Sequence, residues 1–372
     1  MSQVLQHTIE KINLTEFRPK FFNLNINKEK EKLTDLLKDD TIVVFNTIEK
    51  QIGELIKIQH PSERFSSEQL QQKILEQLGA TNPDDYGVWV YYPWSKRLVH
   101  LLNEEEFVSV RTNRNIYKIT PEELETLRLK TIAIIGLSVG QSIAQTIATE
   151  RICGEIRLAD FDTLELGNLN RLNAAVHDLG ISKVIIAARK IAEIDPYIKV
   201  KCWPEGINEH NLDEFLSEGG NADVLVEECD GFDVKIASRL KAREKGIPVI
   251  MDTNDIGMLD VERFDLEPER PIFHGKVEEL DSLSSEQIFT RLKSLTFQEK
   301  FGYLTRIIGF ENTSEEMKIS LAQLSKTITG WPQLASAVTL GAAIVTDACR
   351  RILLGKFTNS GRFFVHFNEL VK

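Results

Sequence analysis

The sequence predicts an α/β protein: a doubly wound, mainly parallel sheet with helices on both faces, preceded by a smaller α+β domain. Three observations predict it. From residue 131 onward, short apolar runs rich in β-branched residues alternate with amphipathic helical stretches, as when crossover helices bury parallel strands on both faces. The first run, Ile132 to Ile135, meets the turn Gly136-Leu137-Ser138-Val139-Gly140, and a helical pattern follows. Residues 1 to about 115 have a different texture, with short mixed segments, and a chain of 372 residues has room for about two domains.

In order along the chain, the N-terminal module offers helical stretches at "KEKEKLTDLLKDD" and "SSEQLQQKILEQLG" and strand-like runs at "TIVVF", "GVWVYYPW" and "RLVHLL". The turn signal "TNPDDYG" punctuates it. Its aromatic group Trp89, Tyr91, Tyr92 and Trp94 reads as core, and its charged helix faces as solvated. Thr120-Pro121-Glu122-Glu123 is a capping-box start with proline at the first helical position. Strands are then expected at 131–135, 155–160, 198–203, 222–226 and 247–251. Helices are expected at 138–150, near 182–194, at 211–217 and at 232–245. Two polar amphipathic helices form an insert at about 283–326. A long, small-residue-rich helix in "GWPQLASAVTLGAAIVTDACRRILLGK" ends at Gly355, and "RFFVHF" reads as a last strand.

Composition narrows the function classes. The chain is 42% hydrophobic and 27% charged, and no apolar run approaches the roughly 18 residues of a membrane span. Its start lacks the basic-then-apolar pattern of a signal peptide, so a cytoplasmic protein is expected. A net charge of −11 argues against a nucleic-acid-binding surface. The cysteines Cys153, Cys202, Cys229 and Cys349 never fall as C-x-x-C, and no H-E-x-x-H occurs. No zinc site is expected.

Gly136 to Gly140 admits two readings. It fits G-x-S-x-G, the turn that presents a nucleophilic serine. It also fits a glycine-rich loop that lets a nucleotide phosphate approach the backbone, with Ser138 standing where a glycine usually stands. The hydrolase reading needs a histidine and an oxyanion loop. His177, His210, His274 and His366 are available, but no glycine-rich segment precedes the serine, and the turn opens the strand–helix alternation instead of following several strands. Asp160, about twenty residues on at a strand end, favours the nucleotide reading, since an acid there accepts ribose hydroxyls. These two features alone would also suit a nicotinamide-dependent oxidoreductase.

The segment "LADFDTLELGNLNRLNAAVHDLGISKVIIAARKIAEIDP" goes further. With "VEECDGFDVK", it resembles the ThiF/MoeB adenylyltransferases (the ThiF/MoeB/HesA family), bacterial relatives of the adenylation domain of ubiquitin-activating enzymes. The resemblance runs from about residue 108 to the end. It implies a Rossmann-like domain over 116–372, behind an N-terminal module of residues 1–115. It implies ATP and magnesium as cofactors and a homodimer. The implied reaction joins a carboxylate to the α-phosphate of ATP, and the implied acceptor is the C-terminal carboxylate of a sulfur-carrier or ubiquitin-like protein or of a peptide.

Residue by residue, Gly136, Ser138 and Gly140 match the glycine loop, Asp160 the ribose-binding acid and Asp162 the second acid of D-x-D. Asn168 and Arg171 match the groups that contact the phosphates, and Lys183 the lysine of D-x-G-x-x-K. Asp230 matches the magnesium-holding aspartate. Arg114, in "RTNRN", matches the arginine that reaches the partner subunit's site. A carboxylate approaching a triphosphate needs cations beside it, and so does the leaving pyrophosphate. Arg114, Arg171 and Lys183 are therefore the expected catalytic cations, with Asp230 as the metal ligand.

The chain departs from the family pattern at several places. Ser138 replaces a loop glycine, Gly167 a serine, Leu172 a glutamine, Asp195 an asparagine and Gly231 an asparagine, and the family's paired zinc cysteines are missing. No cysteine lies between 230 and 348, so adenylation without an enzyme-bound thioester is expected, with Cys153, Cys202 and Cys349 as core thiols and a covalent role for Cys229 left open. A nucleotide-binding scaffold that has lost turnover is the alternative suggested by the altered loop.

Overall fold

The computed structural model describes residues 15–366. The signal-peptide question (residues 1–14) and Phe367 of the last strand lie outside them. The chain divides into two compact units, Met1–Pro121 and Glu122–Lys372.

The first unit carries a four-stranded sheet. Its strands are β1 (Lys20–Phe22), β2 (Val43–Asn46), β3 (Val88–Tyr92) and β4 (Arg97–Leu101), in the order β1-β3-β4-β2. β3 pairs antiparallel with β1 and β4, while β2 runs parallel to β4. Its helices are α1 (Asn27–Leu36), α2 (Ile48–Gln59), α3 (Ser67–Leu78) and α4 (Glu104–Thr112). Sequence reading missed α2, whose apolar positions Ile48, Ile52, Leu55 and Ile56 follow helical spacing but adjoin the apolar run of β2. It also missed β1 and α4. α3 starts on a reciprocal Ser66–Gln69 capping box. Of the aromatic group expected in the core, Trp89, Tyr91 and Tyr92 are buried while Trp94 is half-buried, and Trp89 stacks on His100 at 4.1 Å between centroids.

The helix α5 (Pro121–Arg128) leads into the second unit. Five strands follow in alternation with helices: β5 (Thr131–Ile135), β6 (Glu155–Ala159), β7 (Lys199–Trp203), β8 (Val224–Glu227) and β9 (Val249–Asp252). The alternating helices are α6 (Gly140–Glu150), α7 (Lys183–Ile194), α8 (Leu212–Ser217) and α9 (Phe232–Glu244). These strands are mutually parallel, with apolar side chains buried on both faces of β5 and β8. β10 (Met258–Glu262) and β11 (Gly361–Phe364) extend the sheet antiparallel. The order of the seven strands is β11-β10-β9-β8-β5-β6-β7.

Sequence reading missed β10 because Asp260 and Glu262 interrupt its apolar run, yet both acids are buried. Each has a cationic partner: Arg362 Nε lies 2.7 Å from Asp260, and Arg239 Nε 2.8 Å from Glu262. Arg239 also pairs with Glu227 and stacks over the Phe273 ring. Burial alone would raise the Glu227 carboxyl, but Lys235 and Arg239 hold it at about 2.

After a short helix α10 (Glu278–Asp281), the segment expected as a helical insert at about 283–326 folds as three helices, α11 (Ser285–Lys293), α12 (Phe297–Ile308) and α13 (Glu315–Gln323). The long helix is α14 (Ala335–Leu353), packed on α6. No helix among the described residues is long and apolar enough to cross a membrane.

Candidate active site

β5 lies mid-sheet between β6 and β8. From it the chain runs outward through β6 and β7, then returns to β8 and continues through β9 on the other side. The order therefore reverses between β5 and β8, and sheets of this kind bind ligands beyond the strand C-termini at such a point. The turns after these two strands touch there. Gly136 has φ +86°, and a Cβ on it would stand 2.6 Å from the backbone carbonyl of Glu228. Only glycine allows that approach.

A chain of polar contacts runs from this turn. Asp160, beyond the end of β6, accepts from the Leu137 amide at 2.6 Å and from the Asp162 amide at 2.8 Å. Burial pushes its carboxyl up, and those two amides pull against the shift. Asp162 is half-exposed and pairs at 2.8 Å with Lys183, which opens α7 and is buried. Arg171 donates from Nη2 to Ser138 Oγ at 2.8 Å and from Nη1 to Asn170 Oδ1 at 2.9 Å. Burial lowers its pKa and the neighbouring Asp230 raises it. The Ser138 hydroxyl thus accepts from a guanidinium, where a nucleophilic serine needs a histidine.

The other expected residues are placed as follows. Gly140 opens α6. Asn168 sits in a single 3-10 turn, Leu166–Asn170, and accepts from the Glu165 amide at 3.0 Å, so it organises the loop that carries Arg171. Asp230 lies exposed on the turn after β8. It does not cap α9, whose N-cap is Gly231, and it makes no hydrogen bond among the described residues. Arg114 is exposed in the turn Asn113–Asn115 of the first unit.

Beside Asp230 lies a cavity of about 180 Å³. The ends of β8 and β9 line one side with Glu228, Cys229, Asp252 and Asn254, while α12, α13 and the Trp331-Pro332-Gln333 segment supply a mainly apolar wall. Sequence reading missed Glu228, Asp252 and Lys235 as site residues. Lys235 Nζ meets both Glu227 oxygens, at 2.8 and 2.9 Å. Glu228 Oε1 accepts from the Asp252 amide at 2.8 Å. Burial and the nearby Asp252 carboxylate push Glu228 well up, and burial lifts Asp252 to about 7.

Three of the four cysteines are unsuited to nucleophilic work. Cys229 lines the cavity, but burial and the neighbouring Glu227 push its thiol well up. Cys153 and Cys349 are buried with raised pKa values, whereas Cys202 is only half-buried on β7, unlike the core thiol expected. Among the described residues no group of three or more His, Cys, Asp or Glu side chains could hold a metal ion.

The reversed strand order, the glycine turn at the reversal and the acid beyond β6 define a Rossmann-like domain. The ThiF family model matches residues 111–326, and the chain belongs to that family.

An uncharacterized protein of Mycobacterium tuberculosis is 43% identical over 274 residues, 74% of this chain and 37% of its own length. The ubiquitin-like modifier-activating enzyme 5 of Drosophila persimilis is 30% identical over 149 residues, 38% of each chain. This chain therefore spans under two fifths of those two relatives. The tRNA threonylcarbamoyladenosine dehydratase of Bacillus subtilis is 24% identical over 244 residues, 64% of this chain and 95% of the relative. The crystal structure of PaaA shares the fold, with a TM-score of 0.50 and 20% identity over 87% of this chain and 94% of that one.

Proposed function

We propose that this protein is an ATP-dependent adenylyltransferase that converts a carboxylate to an acyl-adenylate and releases pyrophosphate. One observation carries the reading: Asp230, Arg171, Ser138, Asp160, Asp162 and Lys183 adjoin one another around the turn where the strand order reverses. A carboxylate oxygen attacks the α-phosphorus, the bond to the β-phosphate oxygen breaks, and no protein nucleophile takes part. Arg171 and Lys183 stabilise the charge spreading over the transferring and leaving phosphates. Asp160 accepts the ribose hydroxyls through lone pairs that its two amide donors leave unused. Asn168 holds the Arg171 loop, and Ser138 anchors the guanidinium.

The donor set fits magnesium. That ion is usually held by one or two carboxylates together with substrate phosphates, and Asp230 is a single exposed carboxylate with no hydrogen bond among the described residues. It would hold an ion that adds positive charge at the phosphates. Arg114 is assigned to the partner subunit's site in a homodimer. The family resemblance and the likeness to the fly ubiquitin-like modifier-activating enzyme make the C-terminal carboxylate of a ubiquitin-like protein or a peptide one class of acceptor. Calorimetric titration of ATP with magnesium tests the site. Binding to the native chain that falls at least tenfold in Asp230→Ala is expected. Absent binding by the folded native chain would remove the enzyme reading and leave a scaffold built on the same fold.

A further inference from the structure

The cavity beside Asp230 has no assigned occupant. Its volume, about 180 Å³, is near that of an engineered protein cavity of about 150 Å³ that binds benzene. Its outer wall presents Leu304, Ile308, Met317, Leu321 and Trp331. That wall is tied at two points, to the loop after β9 and to β11. Ser314, at the start of α13, donates from its amide and hydroxyl to the two Asp255 oxygens at 2.8 and 2.7 Å. Arg362, on β11, donates to the Ile308 carbonyl at 3.1 Å and to that of Ile307. An extended chain advances roughly 3.3–3.6 Å per residue, so a space of this size holds only a residue or two of a protein tail.

The available cations suggest which way an acid lies in it. Lys235, the cation in the lining, is already held by both oxygens of Glu227, so among the described residues the inner end has no cation left for a carboxylate. Asp230 is the exposed acid of the lining, and beside it stands Arg171, whose guanidinium is anchored at Ser138.

We propose that the cavity is an acyl pocket for a small carboxylic acid whose apolar body is about the size of a benzene ring, with its carboxylate at the mouth beside Asp230 and Arg171. This rests on the adenylation reading and replaces the protein-tail acceptor with a small molecule. The step conserves atoms and electrons: the acid's carboxylate oxygen bonds to the α-phosphorus of ATP, pyrophosphate leaves with the electron pair of the broken P–O bond, and nothing is oxidised.

The test uses the full chain. Benzoate, phenylacetate, phenylalanine and a hexapeptide ending in Gly-Gly are titrated by calorimetry and then offered in ATP–pyrophosphate exchange. At least one of the three small acids should bind and support exchange. Leu304→Trp, which fills the pocket, should weaken that acid at least tenfold while ATP affinity stays within twofold. Met317→Phe serves the same purpose if Leu304→Trp does not fold. Preference for phenylalanine over the two plain acids would identify an amino acid as the source, and the reverse a plain acid. The pocket assignment is overturned if no small acid binds, if filling leaves binding unchanged, or if the peptide alone supports exchange. Binding of an acid without any exchange keeps the pocket and sinks the adenylation reading instead.

Discussion

Ser138 shows how one position can support two chemistries until its neighbours are known. In sequence it could be a nucleophile or a stand-in for glycine; in the fold its hydroxyl accepts from Arg171. Ser138→Ala should therefore lower pyrophosphate exchange by no more than about a hundredfold, the size of one hydrogen bond to a charged group. Removing a nucleophilic serine costs on the order of a millionfold, and a loss of exchange on that scale would overturn the anchoring role given to Ser138. Gly136 is the stricter position. An alanine there combines φ +86° with a Cβ 2.6 Å from the Glu228 carbonyl. Gly136→Ala should lose about 2–4 kcal/mol, read as a lower denaturant midpoint at unchanged slope.

At the scale of elements, legibility followed whether side-chain chemistry agreed with burial. The parallel strands β5, β6, β8 and β9 were readable because apolar residues make up most of each. β10 was not, since its buried Asp260 and Glu262 become tolerable only through Arg362 and Arg239, residues far away in sequence. Asp160, Arg171, Lys183 and Asp230 could be singled out in the sequence because they match the family pattern, and the fold gathers them around one turn. The cavity could not: the ends of β8 and β9 face α12 and α13, and nothing local signals that meeting.

Asp252, where β9 ends, gives that meeting a measurable consequence. Burial lifts its folded carboxyl to about 7, against about 4 in an unfolded chain. The folded protein thus binds this proton more tightly. Its contribution is fully present below pH about 4 and is lost as pH rises toward 7. Asp252→Asn removes the titration and keeps an oxygen to accept from the Asn254 amide. Relative to the native chain, the variant should gain about 2–4 kcal/mol between pH 4 and 8 in denaturant melts. A pH-independent difference would mean that Asp252 is already ionised in the folded state at low pH.

At the scale of the whole molecule, the open assignment is Arg114, which lies in the first unit while the proposed nucleotide site lies wholly in the second. Acting across a homodimer, it would complete the partner's site and leave its own chain's ATP binding intact. Arg114→Ala should then bind ATP as tightly as the native chain yet lose exchange by about a hundredfold, the scale of one transition-state donor. Complementation tests the geometry directly. In a mixed dimer of Arg114→Ala and Asp230→Ala chains, one of the two sites has a native Asp230 from its own chain and a native Arg114 from its partner. Mixing the two inactive variants at equal concentration should restore about a quarter of native exchange if subunits redistribute at random and each site works alone, since half the dimers are mixed and each carries one competent site. If Arg114 serves its own chain, mixing restores nothing, because each chain still lacks one of the two groups. Sedimentation of the mixture, run alongside, separates that outcome from a failure to form mixed dimers.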